Sequence, residues 1–307
     1  MNLALRISVG TLRGLREGVP NLVQLLRKHR VTATFLFALG RDLTGRALKR
    51  PGFLGNPRGV SAVRRYGIKA LLYGTFWPGP DLGRRGADVM HGVRDAGHET
   101  GVQCWDRFRW EDGVARANAH WTELQMRRAC ERYTDIFKMP PAIHGASDWQ
   151  MNIHALRLTQ RLGFDYCSDG RGKHPHLPVC NAEPIRCPQL PTTLPTIDEL
   201  FSARGITADQ LSAQLLQCTT TDAPAGHVFT LYAELEGLRF AHVFEQLIVG
   251  WKAQGWDLGP VRRVYAALEP MALPRCSISL KGLVPGRSRE LMVQGSEFLK
   301  NIEAVAA

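Results

Sequence analysis

The segment Leu3 to Pro20, LALRISVGTLRGLREGVP, constrains the fold most, because it reads as a strand that delivers a polar turn to the start of a helix. Leu3, Leu5, Ile7 and Val9 alternate with other residues, and Gly10 ends the run. The turn Thr11-Leu12-Arg13-Gly14 follows. Pro20 suits the first turn of a helix, where its missing N–H costs nothing, so a helix is predicted over Asn21 to Arg30. A strand feeding a turn into a helix is where α/β enzymes place their chemistry. This turn carries no carboxylate.

The same alternation continues along the chain. Strands are predicted at Thr32 to Leu39, His98 to Cys104, near Ala142, Phe164 to Cys167, Ile185 to Leu190, His227 to Leu231 and Trp256 to Leu258. Between them lie helical stretches at Ala87 to Ala96, Ala115 to Phe137, Ile153 to Leu162, Ala208 to Cys218, Ala241 to Ala253 and Pro260 to Leu268. Strands separated by helices call for an α/β chain with a parallel sheet, and about seven such units can close into a barrel. Residues 271–307 read as a C-terminal tail, with a helix expected near Arg287 to Val305.

With 307 residues, 44% of them hydrophobic, the chain can bury a sizeable core. No apolar stretch approaches the roughly 20 residues that span a bilayer. A strand begins almost at the N-terminus, leaving no room for a signal peptide, so a cytoplasmic location is expected. Seven cysteines form no CxxC pair, and the odd count suits a reducing compartment. Of the net charge of +11, the segment Arg41 to Arg85 supplies ten Lys/Arg against two Asp, or +8. Phe53, Tyr66, Phe76 and Trp77 lie among these charges. Such a basic insertion at 41–85 suits an anionic membrane surface or a solvated loop. A nucleic-acid role is disfavoured, since the charge is confined to one Gly-rich insertion and no nucleic-acid module is evident.

Five pieces occur in an order that resembles the polysaccharide-deacetylase (NodB-homology, carbohydrate esterase family 4-like) superfamily, and within it the deformylases of lipid-linked formamido-arabinose. They are RGLREGVP at 13–20, GTFWPG at 74–79, Ser168 to Gly172, LPTTLPTIDEL at 190–200 and Ala233 to Gly237. The resemblance covers roughly residues 3–270 and implies a distorted (β/α) barrel of about seven strands over 1–270. It also implies a metal held by one Asp and two His, with an Asp as base and a His as acid.

This chain departs from that machinery at six positions. Ser8 and Gly10 stand where the family has its base and its metal-binding Asp, and Gln103 and Arg107 where it has the His pair. Gln150 replaces an Arg that orients the base, and Tyr232 replaces the acid His. An amide is a poor ligand for a transition metal, and a guanidinium repels one. No metal and no cofactor are therefore expected. The ten histidines, among them His91, His98, His120, His144, His174 and His176, form no HxxxH or HExxH pattern for a relocated centre. Cys104, at the position of the old active site, lacks a His base nearby in sequence.

Polar residues retained from the resemblance are the expected substrate-binding set: Arg13, Glu17, Trp105, Asp106, Asp169, Arg171, Glu234 and Glu236. Their charges would meet a ligand or one another. The resemblance thus implies a catalytically inactive deformylase-like protein at the inner face of the cytoplasmic membrane. Its expected partners are an undecaprenyl-phosphate-linked amino sugar, and an active deformylase or a glycosyltransferase. The alternative is an active amide hydrolase that uses other groups.

Overall fold

The computed structural model describes residues 1–50, 53, 60–204, 206–221, 223 and 225–299. Part of the basic insertion, residues 51–52 and 54–59, lies outside them, as does the end of the expected C-terminal helix.

β1 (Asn2–Val9) is the axis of the sheet. It pairs in parallel with β2 (Thr34–Ala38) on one edge and with β8 (His227–Tyr232) on the other, while β9 (Asp257–Gly259) joins its first residues. β3 (Glu99–Cys104), β4 (Ile143–His144) and β5 (Tyr166–Cys167) continue beyond β2, giving seven parallel strands in the order β5-β4-β3-β2-β1-β8 with β9 alongside. The gap between β5 and β8 is bridged by an irregular segment. Leu190 N–H donates to the Cys167 carbonyl at 2.7 Å, and Thr193 N–H donates to the Val228 carbonyl at 3.0 Å. That closure makes the distorted barrel.

The strand alternation in β1 sorts its side chains between two layers. Leu3, Leu5, Ile7 and Val9 pack outward into the main core with the helices, whereas Ala4 belongs to the barrel interior with Leu36, Ile143, Tyr166 and Val228. Arg6 and Ser8 share the interior phase. Arg6 is fully buried, donates from Nη2 to the Ala146 carbonyl at 3.1 Å, and has its pKa lowered to about 10 by burial.

Several expectations are corrected. The chain turns helical before Pro20: Gly14–Gly18 form a π-helical turn that runs into the helix Val19–Lys28. Close packing explains the wider turn, because a Cβ on Gly18 would sit well under 3.0 Å from the Ala233 carbonyl oxygen. The pieces 13–20 and 233–237 therefore touch backbone to backbone. Ile185 to Leu190 forms no regular strand, and a hairpin of β6 (Leu177–Cys180) and β7 (Glu183–Pro184) precedes it. The expected tail helix is replaced, through residue 297, by β10 (Arg275–Gly282) and β11 (Leu291–Glu297). β10 pairs with β6, so this end of the chain is stitched to the barrel.

Candidate functional site

Helix Arg107–Gly113 starts directly beyond β3, at Asp106. It aims Arg107 across the barrel mouth toward the short helix Ala233–Glu236 that follows β8. The guanidinium is buried. Its Nε donates to Glu111 at 2.9 Å and its Nη1 to Glu234 at 2.7 Å. Burial opposes the charge on Arg107, but Glu234 and Glu111 outweigh it and hold the guanidinium well above its ordinary pKa. Burial likewise pushes the two carboxyls up, and Arg107, with Arg50 and Arg65, more than reverses this so that both end below the usual range.

Further ion pairs surround this centre. Arg65 reaches Glu234 at 3.2 Å and Asp198 at 3.5 Å, and Arg50 reaches Glu111 at 2.8 Å. Arg287, between β10 and β11, donates to Glu199 at 2.6 Å and to the Tyr232 hydroxyl at 2.8 Å, and also pairs with Asp148. Asp148 and Trp149 both adopt left-handed backbone, with φ of 51° and 52°. For residues other than glycine that conformation costs about 1–3 kcal/mol and persists only where the surroundings impose it. Here Arg287 holds the Asp148 carboxylate, and the Trp149 indole lies beneath Arg287 and donates to Thr192 at 3.0 Å.

These groups open onto a cavity of about 1080 Å³ whose wall includes Arg65, Arg107, Gln150, Asp198, Tyr232 and Arg287. Three of the six altered positions, Arg107, Gln150 and Tyr232, thus line it. The other three lie around Arg107 and within the barrel: Gln103 donates to the Ser8 hydroxyl, and Gly10 lies against the Arg107 side chain. The residues do not fit a divalent ion. A hydroxyl, an amide and a guanidinium occupy this place, and the guanidinium takes up the room a side chain at position 10 would need.

None of the eight residues expected to bind substrate lines the cavity, though Arg13, Arg171, Glu234 and Glu236 contact or brace residues that do or their partners. Arg13 pairs with Glu17 at 3.1 Å and donates to the carbonyls of Arg64 and Arg65, bracing Arg65 from behind. Arg171 donates to Glu199 at 2.6 Å, and Glu199 in turn holds Arg287. Glu234 anchors Arg107 and Arg65. Glu236 accepts the Tyr232 N–H at 2.7 Å, and burial raises its pKa to about 8. Trp105 lies under Arg132, and Asp106 accepts the Arg41 N–H. Asp169 accepts from His144 at 2.6 Å, from Ala146 N–H at 2.8 Å and from Gln189 at 3.0 Å. Buried carboxylates need such donors, which explains why the charges of Asp106, Asp169 and Glu234 face inward, whereas Glu17 stays exposed.

His144, Cys167 and Asp169 place their potential ligand atoms within 4.8 Å of one another, but the donors just named already fill the Asp169 carboxylate. Cys104 packs in the main core, and burial pushes its thiol well above the usual range. It is no nucleophile in this state. The sequence reading missed Arg65, Asp198, Arg287 and Arg289.

No protein-family model matches the chain. The curated relative "Probable 4-deoxy-4-formamido-L-arabinose-phosphoundecaprenol deformylase ArnD" of Shewanella sediminis is 33% identical over 265 residues, 84% of each chain. The chain belongs to this deformylase family. A relative of the same name in Wigglesworthia glossinidia brevipalpis is 28% identical, over 76% of this chain and 82% of its own. Among solved structures, a family 4 acetyl xylan esterase of Clostridium thermocellum superposes with a TM-score of 0.51 at 12% identity, covering 90% of this chain and 97% of that one. A family 4 pseudoenzyme of Bacillus anthracis gives the same TM-score and identity, over 86% of this chain and 64% of that one. These two likenesses bear on the fold, which is the distorted deacetylase barrel. Among the described residues, no helix is long and apolar enough to cross a membrane.

Proposed function

We propose that this member of the deformylase family is catalytically silent and binds an undecaprenyl-phosphate-linked amino sugar in the barrel-mouth cavity. The observation that carries this reading is Arg107, a buried guanidinium fixed by Glu111 and Glu234 against Gly10. It supplies a permanent positive charge at the site, and the described carboxyls beside it, Glu111 and Glu234, are taken up in holding it. The Tyr232 phenol is kept protonated by burial and is tied to Arg287, so it offers hydrogen bonding rather than proton transfer. The cavity keeps a polar floor and mixed walls suited to a sugar.

The basic segment supports docking on an anionic membrane face. Phe76 is 79% exposed, Ile68 69% and Trp77 51%, in the same segment as the exposed Arg64 and Lys69. Side chains of this kind partition shallowly into a lipid interface while the cations meet headgroups.

The deciding experiment incubates purified protein with a formamido sugar phosphate and follows formate release, alongside elemental analysis of the same sample. The expected result is no turnover and no stoichiometric Zn²⁺, Mn²⁺ or Ni²⁺. Turnover at a rate typical of enzymes, or about one equivalent of metal lost in Gln103→Ala, would reject the silent reading and promote an active hydrolase that uses other groups.

A further inference from the structure

The cations around the main cavity divide into two kinds. Arg50, Arg65, Arg107, Arg287 and Arg289 each have a carboxylate within ion-pair distance. Arg46, Lys49 and Arg116 line the same cavity and have no such partner among the described residues. The sequence from 51 to 59, PGFLGNPRG, contains no Asp or Glu.

Arg46 and Arg116 also line an adjoining hollow of about 450 Å³, together with Arg109, Asn118 and Trp121. Its one carboxylate, Asp112, is already engaged by Arg50 at 2.8 Å and Arg289 at 3.3 Å. Trp121 stacks on the buried Trp110, with ring centroids 6.0 Å apart and planes 26° from parallel, so that wall is stiff. Scattered surface arginines are ordinary; three that converge on one concavity continuous with a sugar-sized cavity, with its acid already taken, are set for an anion.

We propose that Arg46, Arg109 and Arg116 form a phosphate subsite at the outer end of the cavity, taking a phosphate monoester or diester. The sugar end then lies inward, toward Gln150 and Tyr232, an orientation that rests on the binding reading given above. Guanidinium forks match phosphate oxygens two at a time and stay charged at any working pH, so affinity follows the charge of the phosphate and falls with salt. Lys49 adds a mobile point charge at the same rim.

Titration calorimetry tests this with three soluble probes: inorganic phosphate, N-acetylglucosamine and N-acetylglucosamine 1-phosphate. Phosphatidylcholine vesicles with and without undecaprenyl phosphate serve as a lipid arm. Arg46 and Arg116 are exposed, so Arg46→Ala/Arg116→Ala keeps the fold, and Arg116→Lys keeps the charge. The sugar phosphate is expected to bind more tightly than the neutral sugar. The double alanine variant should lose about tenfold or more for the sugar phosphate and nothing for the neutral sugar, with Arg116→Lys in between.

Equal binding of the two sugars, or a double variant that binds the sugar phosphate as the parent does, overturns the subsite and leaves the sugar-binding reading standing. If inorganic phosphate binds with the same arginine dependence and neither sugar contributes, the subsite holds and the sugar-binding reading fails. Arginine-dependent recruitment to the doped vesicles alone identifies the lipid phosphate as the source; equal response to the soluble sugar phosphate identifies a free one.

Discussion

A Cβ built on Gly10 would lie well under 3.0 Å from Cδ of Arg107, with Cγ at 3.3 Å and Nε at 3.2 Å. The absent side chain and the arginine are two halves of one arrangement, since Arg107 cannot swing aside without abandoning Glu111 and Glu234. Gly10→Ala should therefore cost about 1–3 kcal/mol, as overpacking does. Arg107→Ala should cost about 3–5 kcal/mol by leaving two buried carboxylates without their cation. In urea melts the double variant should be clearly more stable than the sum of the two, because the clash is gone. Strict additivity would show that the two residues do not share this space.

On the silent reading proposed above, restoring catalysis requires concerted change. Asp at 8 and 10, His at 103, 107 and 232, and Arg at 150 would rebuild the family's base, ligands and acid, but groups that act as a unit are strongly non-additive. Every single reversion is expected to give no detectable formate release. Gly10→Asp should also lower expression or stability unless Arg107 is changed with it. Activity from one reversion alone would show that the remaining groups are already competent.

Glu236 gives a pH signature of the opposite sign to the ion-paired Glu111, Glu234 and Asp198. Burial raises its pKa from 4.5 to about 8 in the folded chain. Between those values the native state holds a proton that the unfolded state has lost, so stability is full below about 4.5 and falls as pH rises toward about 8. Glu111, Glu234 and Asp198 have lowered values, so their contribution is present above the unfolded value and is lost in acid. Glu236→Gln keeps an oxygen for the Tyr232 N–H and should flatten the decline on the alkaline side by about 1–3 kcal/mol. Thermal melts from pH 5 to 9 read this slope; parallel curves for parent and variant would show that Glu236 ionises normally.

Membrane docking should depend on both halves of the basic segment. Co-sedimentation with vesicles is expected to rise with anionic lipid and fall with salt, each retained cation contributing up to about 1 kcal/mol. Phe76→Ser/Trp77→Ser should reduce binding several-fold with no change in melting temperature, since both rings are more than half exposed. Binding that ignores lipid charge would refute the electrostatic part.

The alternation of strands and helices was legible because apolar periodicity carries it, and β1, β8 and the helices Ile153–Arg161 and Ala241–Ala253 fall within a residue or so of where the sequence puts them. The six positions read as altered came from the resemblance of the neighbours around each, and three of them, Arg107, Gln150 and Tyr232, lie at the cavity. Helix Arg107–Gly113 was not, since RFRWEDG has no apolar stripe and two of its charges, Arg107 and Glu111, are buried by pairing with distant residues. β10 did carry a strand signal in the alternation of Cys276, Ile278 and Leu280. What it delivers, Arg287, could not be read from spacing, because its partners Asp148, Asp198, Glu199 and Tyr232 come from three other parts of the chain.

The route by which Arg287 arrives also sets an order of construction. All seven parallel strands are in hand by Gly259, yet Arg287, Arg289 and Glu290 contribute to the cavity wall from the stretch that joins β10 to β11. On the ribosome, a nascent chain that has emerged only to Pro274 could assemble the barrel with Asp148, Asp198 and Glu199 still missing this cation. The cavity wall is therefore completed only by the last part of the chain to emerge, and until then Asp148 lacks the Arg287 guanidinium that pairs with it.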